Sequence, residues 1–185
     1  MASELGVQTI QHTNGTDALT IGSDGSVTTQ GAFLPGGLTA WPAFSASYTG
    51  PSDWYALGSG AVLAFNNVTS SGDEYMGFNN GGHYNTSTYA FTCPIDGIYF
   101  FTFNLYTANA DTANGFSLAK NGTYMKTGSG TDINNTYVAG ADDISVSSSF
   151  TLYLASGDTI DVRSNTPSDL YSGHSWWHGH LVAPL

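Results

Sequence analysis

Turn-forming residue pairs recur along the whole chain and divide it into short segments rich in Thr, Ser, Val, Tyr and Phe. Glycine preceded by Asn or Asp is typical of the tight turns that join antiparallel strands. Residues that favour helices, such as Glu, Lys, Arg and Gln, are scarce, so we expect no helix longer than one turn. The pattern predicts an all-β chain folded as an antiparallel sandwich or jelly-roll. The expected turns are Asn14-Gly15, Asp24-Gly25, Asn79–Gly82, Asp96-Gly97, Asn121-Gly122 and Ser156–Asp158.

The segment Ile98–Tyr106 places aromatic side chains on both faces of a predicted strand. Alternate residues of a strand point to opposite faces, so Tyr99 and Phe101 share one face and Phe100 lies on the other. One face can fill the core of a sandwich, whereas a solvated second face would be polar throughout. The second aromatic face therefore indicates oligomerisation, unless a loop of the same chain covers it. The other strands predicted after residue 41 are Ala43–Tyr48, Ala61–Phe65, Tyr75–Phe78, Tyr89–Cys93, Gly115–Lys120, Ser145–Leu154, Thr159–Arg163 and Trp176–Val182.

The first part of the chain has a different organisation. Three short strands are predicted at Val7–Gln11, Ala18–Ile21 and Val27–Thr29, and the Pro- and Gly-rich stretch Gly31–Leu38 is typical of a linker. Hairpins this small are marginal in water, so the segment must pack on its own domain, on sister chains or on another protein, or else remain a disordered tail. We therefore divide the chain into a docking segment with linker (residues 1–38) and a head (residues 39–185).

The charge balance excludes several classes of partner. Only 9% of the residues are charged, and 3 Lys and Arg stand against 14 Asp and Glu, for a formal net charge of −11. Lys120, Lys126 and Arg163 cannot form the clustered cations that nucleic acids or anionic membranes require. No apolar stretch approaches the length of a membrane-spanning helix, and residues 1–5 lack the charged and apolar regions of a secretory signal. We expect no nucleic-acid binding, no membrane insertion and no signal peptide.

The sequence contains no recognisable catalytic motif. Gly-x-Ser-x-Gly, His-Glu-x-x-His, the phosphate-binding glycine loop and the nicotinamide fingerprint are all missing. The single cysteine, Cys93, lies in an apolar run and is expected to be a buried, unreactive thiol. Folding could bring together two carboxylates that cleave a glycan, which sequence patterns do not exclude. We nevertheless expect a protein that is not an enzyme.

The segment Tyr84–Phe103 resembles the central motif of the globular head of C1q, the q subunit of the first complement component, whose family is related to tumour necrosis factor. The shared pattern is an Asn, a turn, an aromatic residue, a small residue, Cys-Pro, a Gly and then Tyr-aromatic-Phe. Further elements resemble the family in the same order over residues 42–185, namely Pro42–Ala46, Phe65–Val68, Leu152–Leu154 with Gly157–Ile160, and Trp177–Val182. The resemblance implies a C1q/TNF-like antiparallel jelly-roll that assembles as a homotrimer.

Two features depart from that family. No Gly-X-Y stalk precedes the head, so a collagen bundle is not expected. The closing motif carries His178 and His180 where the family has Ser and Phe. Residues 7–27 instead resemble the opening segments of bacteriophage virion appendage and fibre proteins, through Val7–Gln11, Asn14–Thr16, Leu19–Ile21 and Gly25–Val27.

Together, the two resemblances imply a non-enzymatic structural and binding protein at the surface of a bacteriophage virion. It would be a homotrimeric capsid decoration protein (a cement protein or head fibre) or a short fibre tip, joined to capsid or tail proteins through residues 1–38. The alternatives are a receptor-binding tail fibre protein for host attachment and a secreted C1q-like protein that recognises glycans. At about 3.3 Å per residue, the short N-terminal segment reaches only about 100 Å, which favours a compact appendage over a long fibre.

Three sets of side chains are candidate sites. Aromatic residues in or beside loops can bind host surface glycans, or else plug the ends of the sandwich. Histidines on one face of the last strand, with an acidic pair, can hold calcium or a transition metal on the trimer axis, or else serve as packing and solvated loop residues. The trimer-interface candidates are Phe44, Tyr99, Phe101, Phe103, His178 and His180; the ligand-binding candidates are Trp54, Tyr55, Tyr75, Tyr84 and Tyr171; the metal-ligand candidates are His178, His180, Asp142 and Asp143.

Overall fold

The computed structural model describes residues 9–11, 17–29, 38, 40–50, 54–69, 77–108, 115–126 and 144–185. Every regular element in these ranges is a β-strand, and the paired strands are antiparallel, as predicted. No helix in the described ranges has the length and apolar character needed to cross a membrane. The chain divides into two compact units, residues 1–40 and residues 41–185.

The first unit contains a small antiparallel sheet, the N-terminal sheet, with the strand order β1-β2-β3. Strands β2 and β3 meet at the predicted Asp24-Gly25 turn. There the Ser26 amide donates a hydrogen bond to Oδ1 of Asp24 over 2.9 Å, and Gly25 has a φ of 82°, which glycine adopts without strain. The strands of this unit are β1 (Thr9–Gln11), β2 (Asp17–Ile21) and β3 (Val27–Thr29).

The second unit is a sandwich of two sheets. The smaller sheet has the order β11-β10-β13-β8-β7, and the larger sheet has the order β5-β14-β9-β15-β4-β6, with β12 paired to the opposite edge of β9. The strands are β4 (Ala43–Ser47), β5 (Trp54–Leu57), β6 (Phe78–Asn80), β7 (Tyr84–Asn85), β8 (Ala90–Thr92), β9 (Gly97–Ala108), β10 (Phe116–Lys120), β11 (Thr123–Tyr124), β12 (Ile144–Leu154), β13 (Thr159–Ser164), β14 (Ser168–Tyr171) and β15 (Trp176–Pro184).

Aromatic side chains from both sheets form the core between them. Trp177 is fully buried, and the centre of its ring system lies 4.8 Å from that of Phe44 and 5.6 Å from that of Tyr84. Phe91 on the smaller sheet lies 5.7 Å from Phe101 on the larger one. These contacts join the two sheets through the hydrophobic effect and through edge-to-face ring packing.

A glycine in the last strand allows this close packing. A Cβ added at Gly179 would overlap the Phe101 ring and lie 2.6 Å from Cε1 of Phe44. Neither ring can retreat, because both are fully buried among other core residues. The residue between Trp177 and Leu181 on the inward face of β15 therefore has to lack a side chain.

The structure departs from the predicted strands at several points. Ala61–Phe65 is not a strand: Val62 forms an isolated bridge with Arg163, and the Leu63 amide donates to the carbonyl of Val162. The short strands β5, β7, β11 and β14 were not predicted, and β9 extends two residues beyond the predicted Tyr106. The Asn121-Gly122 turn is confirmed, with both residues at positive φ (51° and 77°).

Candidate functional site

The outer face of the larger sheet, which is turned away from the smaller sheet, is almost uncharged. In the strands that form this sheet, as the structure describes them, the one Asp, Glu, Lys or Arg is Asp169 on β14. The smaller sheet instead carries ion pairs, with Lys120 Nζ 2.6 Å from Asp158 and Arg163 Nε 2.6 Å from Asp161. The surface charge of the described head is thus concentrated away from the outer face.

Near the start of β9, the outer face carries a cluster in which Tyr153 and His180 are exposed and Ile98 and Phe100 are half-buried; we call these four residues the exposed cluster. Tyr153 on β12 pairs in register with Ile98 on β9, and His180 on β15 pairs with Phe100. The Phe100 and His180 rings lie 5.4 Å apart, and 60% of Tyr153 is exposed. A cluster rich in aromatic side chains on a sheet face with little charge is typical of a protein–protein contact.

Small hydroxyl side chains border the exposed cluster along β12. Ser145, Ser147, Ser149 and Thr151 alternate with inward residues and are all exposed. Ser149 donates a hydrogen bond to Oγ1 of Thr102 over 3.0 Å, which ties this edge strand to β9 through side chains. Such short side chains leave room for another chain to approach the sheet closely.

The structure corrects the predicted trimer-interface set. Phe44, Tyr99, Phe101 and Phe103 are fully buried within the single chain, so they fill its core and cannot contact a partner. The alternation of residues along β9 predicts the two faces of this strand correctly. The residues predicted to form the trimer interface, however, lie on the inward face. The outward residues of β9, such as Phe100, are available to contact another chain.

The two histidines of the closing motif share one face of β15, as predicted, and that face is the outer one. His178 pairs in register with Thr102 and with Ser45, and its ring packs edge-on against Trp176 at 4.4 Å. Burial lowers the pKa of His178, so the ring is neutral at pH 7. Its Nε2 is enclosed within the sheet, which makes it an unfavourable ligand for a metal shared between chains.

The metal prediction has no further support in the described residues. Within those ranges, no three His, Cys, Asp or Glu side chains are grouped closely enough to hold a metal ion. Asp142 and Asp143 lie outside the described residues. Cys93 is buried, and desolvation together with the nearby Asp158 raises the pKa of its thiol to about 12, so it is no nucleophile at neutral pH.

Two of the ligand-binding candidates meet in an aromatic pocket. Trp54 on β5 pairs in register with Tyr171 on β14, and together with Tyr106 and His174 they line a pocket of about 450 Å³. The Tyr171 ring lies 4.7 Å from Trp54, 5.5 Å from Tyr106 and 5.0 Å from His174, between ring centres. Sequence reasoning missed Tyr106 and His174 as members of this site.

The remaining ligand-binding candidates lie elsewhere. Tyr84 is a core residue: it stacks on Phe44 at 4.6 Å and donates its hydroxyl to the carbonyl of Phe65, so the prediction for it is wrong. Burial also raises the pKa of Tyr84. Tyr55 is exposed but packs against Tyr48 instead of lining the pocket, and Tyr75 lies outside the described residues.

Comparison with known proteins agrees with the arrangement of the head. The family model of the C1q domain matches residues 43–182. Complement C1q tumor necrosis factor-related protein 2 of Mus musculus is 48% identical over 46 residues, which is 25% of this chain and 15% of that protein. The chain therefore covers only a small part of that mouse relative.

Solved structures are similar at lower identity. Eiger TNF from S. frugiperda matches with a TM-score of 0.50 and 14% identity over 78% of this chain and 95% of that chain. The globular domain of the zebrafish complement 1qA protein matches with a TM-score of 0.49 and 19% identity over 78% of this chain and 99% of that chain. The predicted C1q/TNF-like jelly-roll is confirmed, and the chain belongs to the C1q domain family.

Proposed function

We propose that this chain is a non-enzymatic binding protein that assembles as a homotrimer through the outer face of the larger sheet. The observation that carries the proposal is the exposed cluster of Ile98, Phe100, Tyr153 and His180 on a face whose described strands contain a single acidic residue and no Lys or Arg. Such a cluster is well suited to burial against copies of itself, because it contains no Asp, Glu, Lys or Arg that has to leave water. Membership of the C1q domain family supports the same assembly.

The shape of this face supports close packing between copies. The small side chains on β12 project next to the aromatic residues on β9, so a large group of one protomer can sit over a small group of the next. Lys120 and Arg163 pair with acidic residues on or beside the smaller sheet, away from the face proposed for assembly, so assembly leaves both ion pairs unchanged. The aromatic pocket lined by Trp54, Tyr106, Tyr171 and His174 supports a binding role for the assembled heads.

Sedimentation equilibrium tests the assembly directly. At micromolar concentration the full chain is expected to sediment at about three times its mass of 19.4 kDa. Association through apolar area should persist in high salt, because screening weakens charge pairs and leaves apolar contacts intact. A single monomeric species over the whole concentration range would overturn the proposal.

We also propose that residues 1–38 attach the head to the surface of a bacteriophage virion. The N-terminal sheet leaves β1 and β3 as its end strands, and 52% of Ile10 and 60% of Val27 are exposed within it. Open strand edges and exposed β-branched residues gain most from pairing with another protein's backbone. The opening segments of phage appendage proteins, which residues 7–27 resemble, support this role over that of a secreted C1q-like protein.

Removal of the docking segment tests this role. A chain that begins at Trp41 retains the complete sandwich and should still fold and sediment like the full chain. It should fail to bind purified phage particles to which the full chain attaches, as measured by co-sedimentation with the particles. If the truncated chain attaches at full occupancy, or the full chain does not attach, the docking role is wrong, and the second outcome favours the secreted alternative.

A further inference from the structure

The aromatic pocket lies on the outer face at one end of the larger sheet, away from the exposed cluster. Tyr106 is six residues along β9 from Phe100, which is about 20 Å at the rise of an extended strand. The pocket is formed by β5, β9 and β14 with His174 from the turn before β15. It is therefore a site of its own within each protomer and is distinct from the surface assigned to assembly.

The ring geometry provides flat aromatic faces. The planes of Trp54 and Tyr106 are inclined by only 21°, whereas Tyr171 stands nearly perpendicular to both, at 75° and 82°. Tyr171 thus braces the other two rings from the side and keeps their faces parallel. A pocket of about 450 Å³ is large enough for a small ligand.

The charges near the pocket restrict its ligand. Asp169 lies two residues before Tyr171 on the same face of β14, about 7 Å along the strand. The strands β5, β9 and β14 contain no Lys or Arg, and the chain as a whole carries a net charge of −11. An anionic ligand would be repelled, whereas a carboxylate accepts strong hydrogen bonds from neutral hydroxyl groups.

We propose that this pocket binds a neutral saccharide, whose apolar ring face stacks on Trp54 and whose hydroxyl groups donate to the Asp169 carboxylate. The inference rests on the binding role proposed above and names its ligand class. A quaternary ammonium ligand fits less well, because a cation cage needs a gap between its rings. The centres of the Trp54, Tyr106 and Tyr171 rings are 4.7 to 6.0 Å apart, so the rings pack against one another and do not surround a cation, whereas a saccharide needs only one ring face on the pocket wall.

Saturation-transfer NMR on the full chain tests the site with methyl β-D-glucoside, methyl β-D-galactoside and methyl α-D-mannoside. At least one glycoside should bind with a millimolar Kd. Trp54→Ala should weaken that binding at least about tenfold, as expected for loss of a central aromatic contact. Trp54→Phe keeps an aromatic face and should retain most of the glycoside affinity. Asp169→Asn should weaken binding without changing the sedimentation of the protein.

Trp41→Ala is the matched control, because Trp41 is a partly exposed tryptophan of the same unit that does not line the pocket. It should leave glycoside binding unchanged. N-acetylneuraminic acid and phosphocholine are the competing probes. Binding of either one in place of the neutral glycosides, binding that survives Trp54→Ala, or no binding of any glycoside would each overturn the proposal. Sedimentation of the same samples separates this failure from failure of the trimer.

Discussion

The Trp177→Ala variant is expected to lose about 3–5 kcal/mol of unfolding free energy, the range for removing a fully buried large aromatic side chain. Trp177 contacts Phe44, Phe65, Tyr84 and Phe101, so its loss leaves a cavity at the junction of the two sheets. The surrounding rings are held by their own contacts and can collapse only partly. Urea unfolding monitored by circular dichroism measures the change.

Trp41→Ala again provides the control for this variant. Trp41 is 36% exposed, and its Nε1 donates a hydrogen bond to the carbonyl of Leu181 over 2.8 Å. Replacing Trp41 with alanine therefore removes one hydrogen bond and the contacts of a partly exposed side chain. The loss of unfolding free energy in Trp41→Ala should be less than half of that in Trp177→Ala. Trp177→Phe should lie between wild type and Trp177→Ala. Equal losses at the two tryptophans would contradict the description of the core.

The Phe100→Asp variant is expected to dissociate into folded monomers at concentrations where the wild-type chain is trimeric. Phe100 lies in the exposed cluster, so assembly would bury a carboxylate beside the His180 ring in each protomer, with no Lys or Arg in the described strands of that sheet to pair with it. An unpaired buried charge costs about 3–5 kcal/mol, which weakens association by at least about a hundredfold per site. Sedimentation measures the mass, and circular dichroism checks that the sandwich remains folded.

A charge on the other sheet is the control for dissociation. Thr92 on β8 is exposed on the smaller sheet, so Thr92→Asp should leave the trimer intact. Tyr153→Asp provides a second interface variant at the edge strand β12, in case Phe100→Asp impairs folding. A trimer that tolerates aspartate at both interface positions would have to assemble through another surface.

The sequence predicted the class of fold because the turns and strand lengths are local properties. The Asn121-Gly122 pair predicted a hairpin turn. The alternation of residues in Ile98–Tyr106 predicted a strand with aromatic side chains on both faces. Alternation alone does not reveal which of two apolar faces is directed inwards. That choice depends on pairing with the smaller sheet, so Tyr99 and Phe101 were assigned to an interface that they do not reach.

The aromatic pocket was only half predicted for a different physical reason. Trp54 and Tyr171 are distant in sequence, and the polar segment Ser168–Tyr171 has no strand pattern of its own. It is a strand because β5 and the end of β9 lie on either side of it. Tyr84 was misplaced because its Asn- and Gly-rich neighbours resemble a loop, whereas the Asn79 side chain holds the Tyr84 backbone at the edge of the core.

The strand β9 carries both proposed surfaces, the exposed cluster near its start and Tyr106 near its end. Hydrogen bonds to β12 on one side and to β15 and β14 on the other make it a stiff connector. The distance between the pockets of a trimer would therefore be set by the sheet and not by a flexible linker. A branched or repeating ligand whose units match that spacing would gain a high effective concentration and strong avidity, whereas one with another spacing would bind through single contacts.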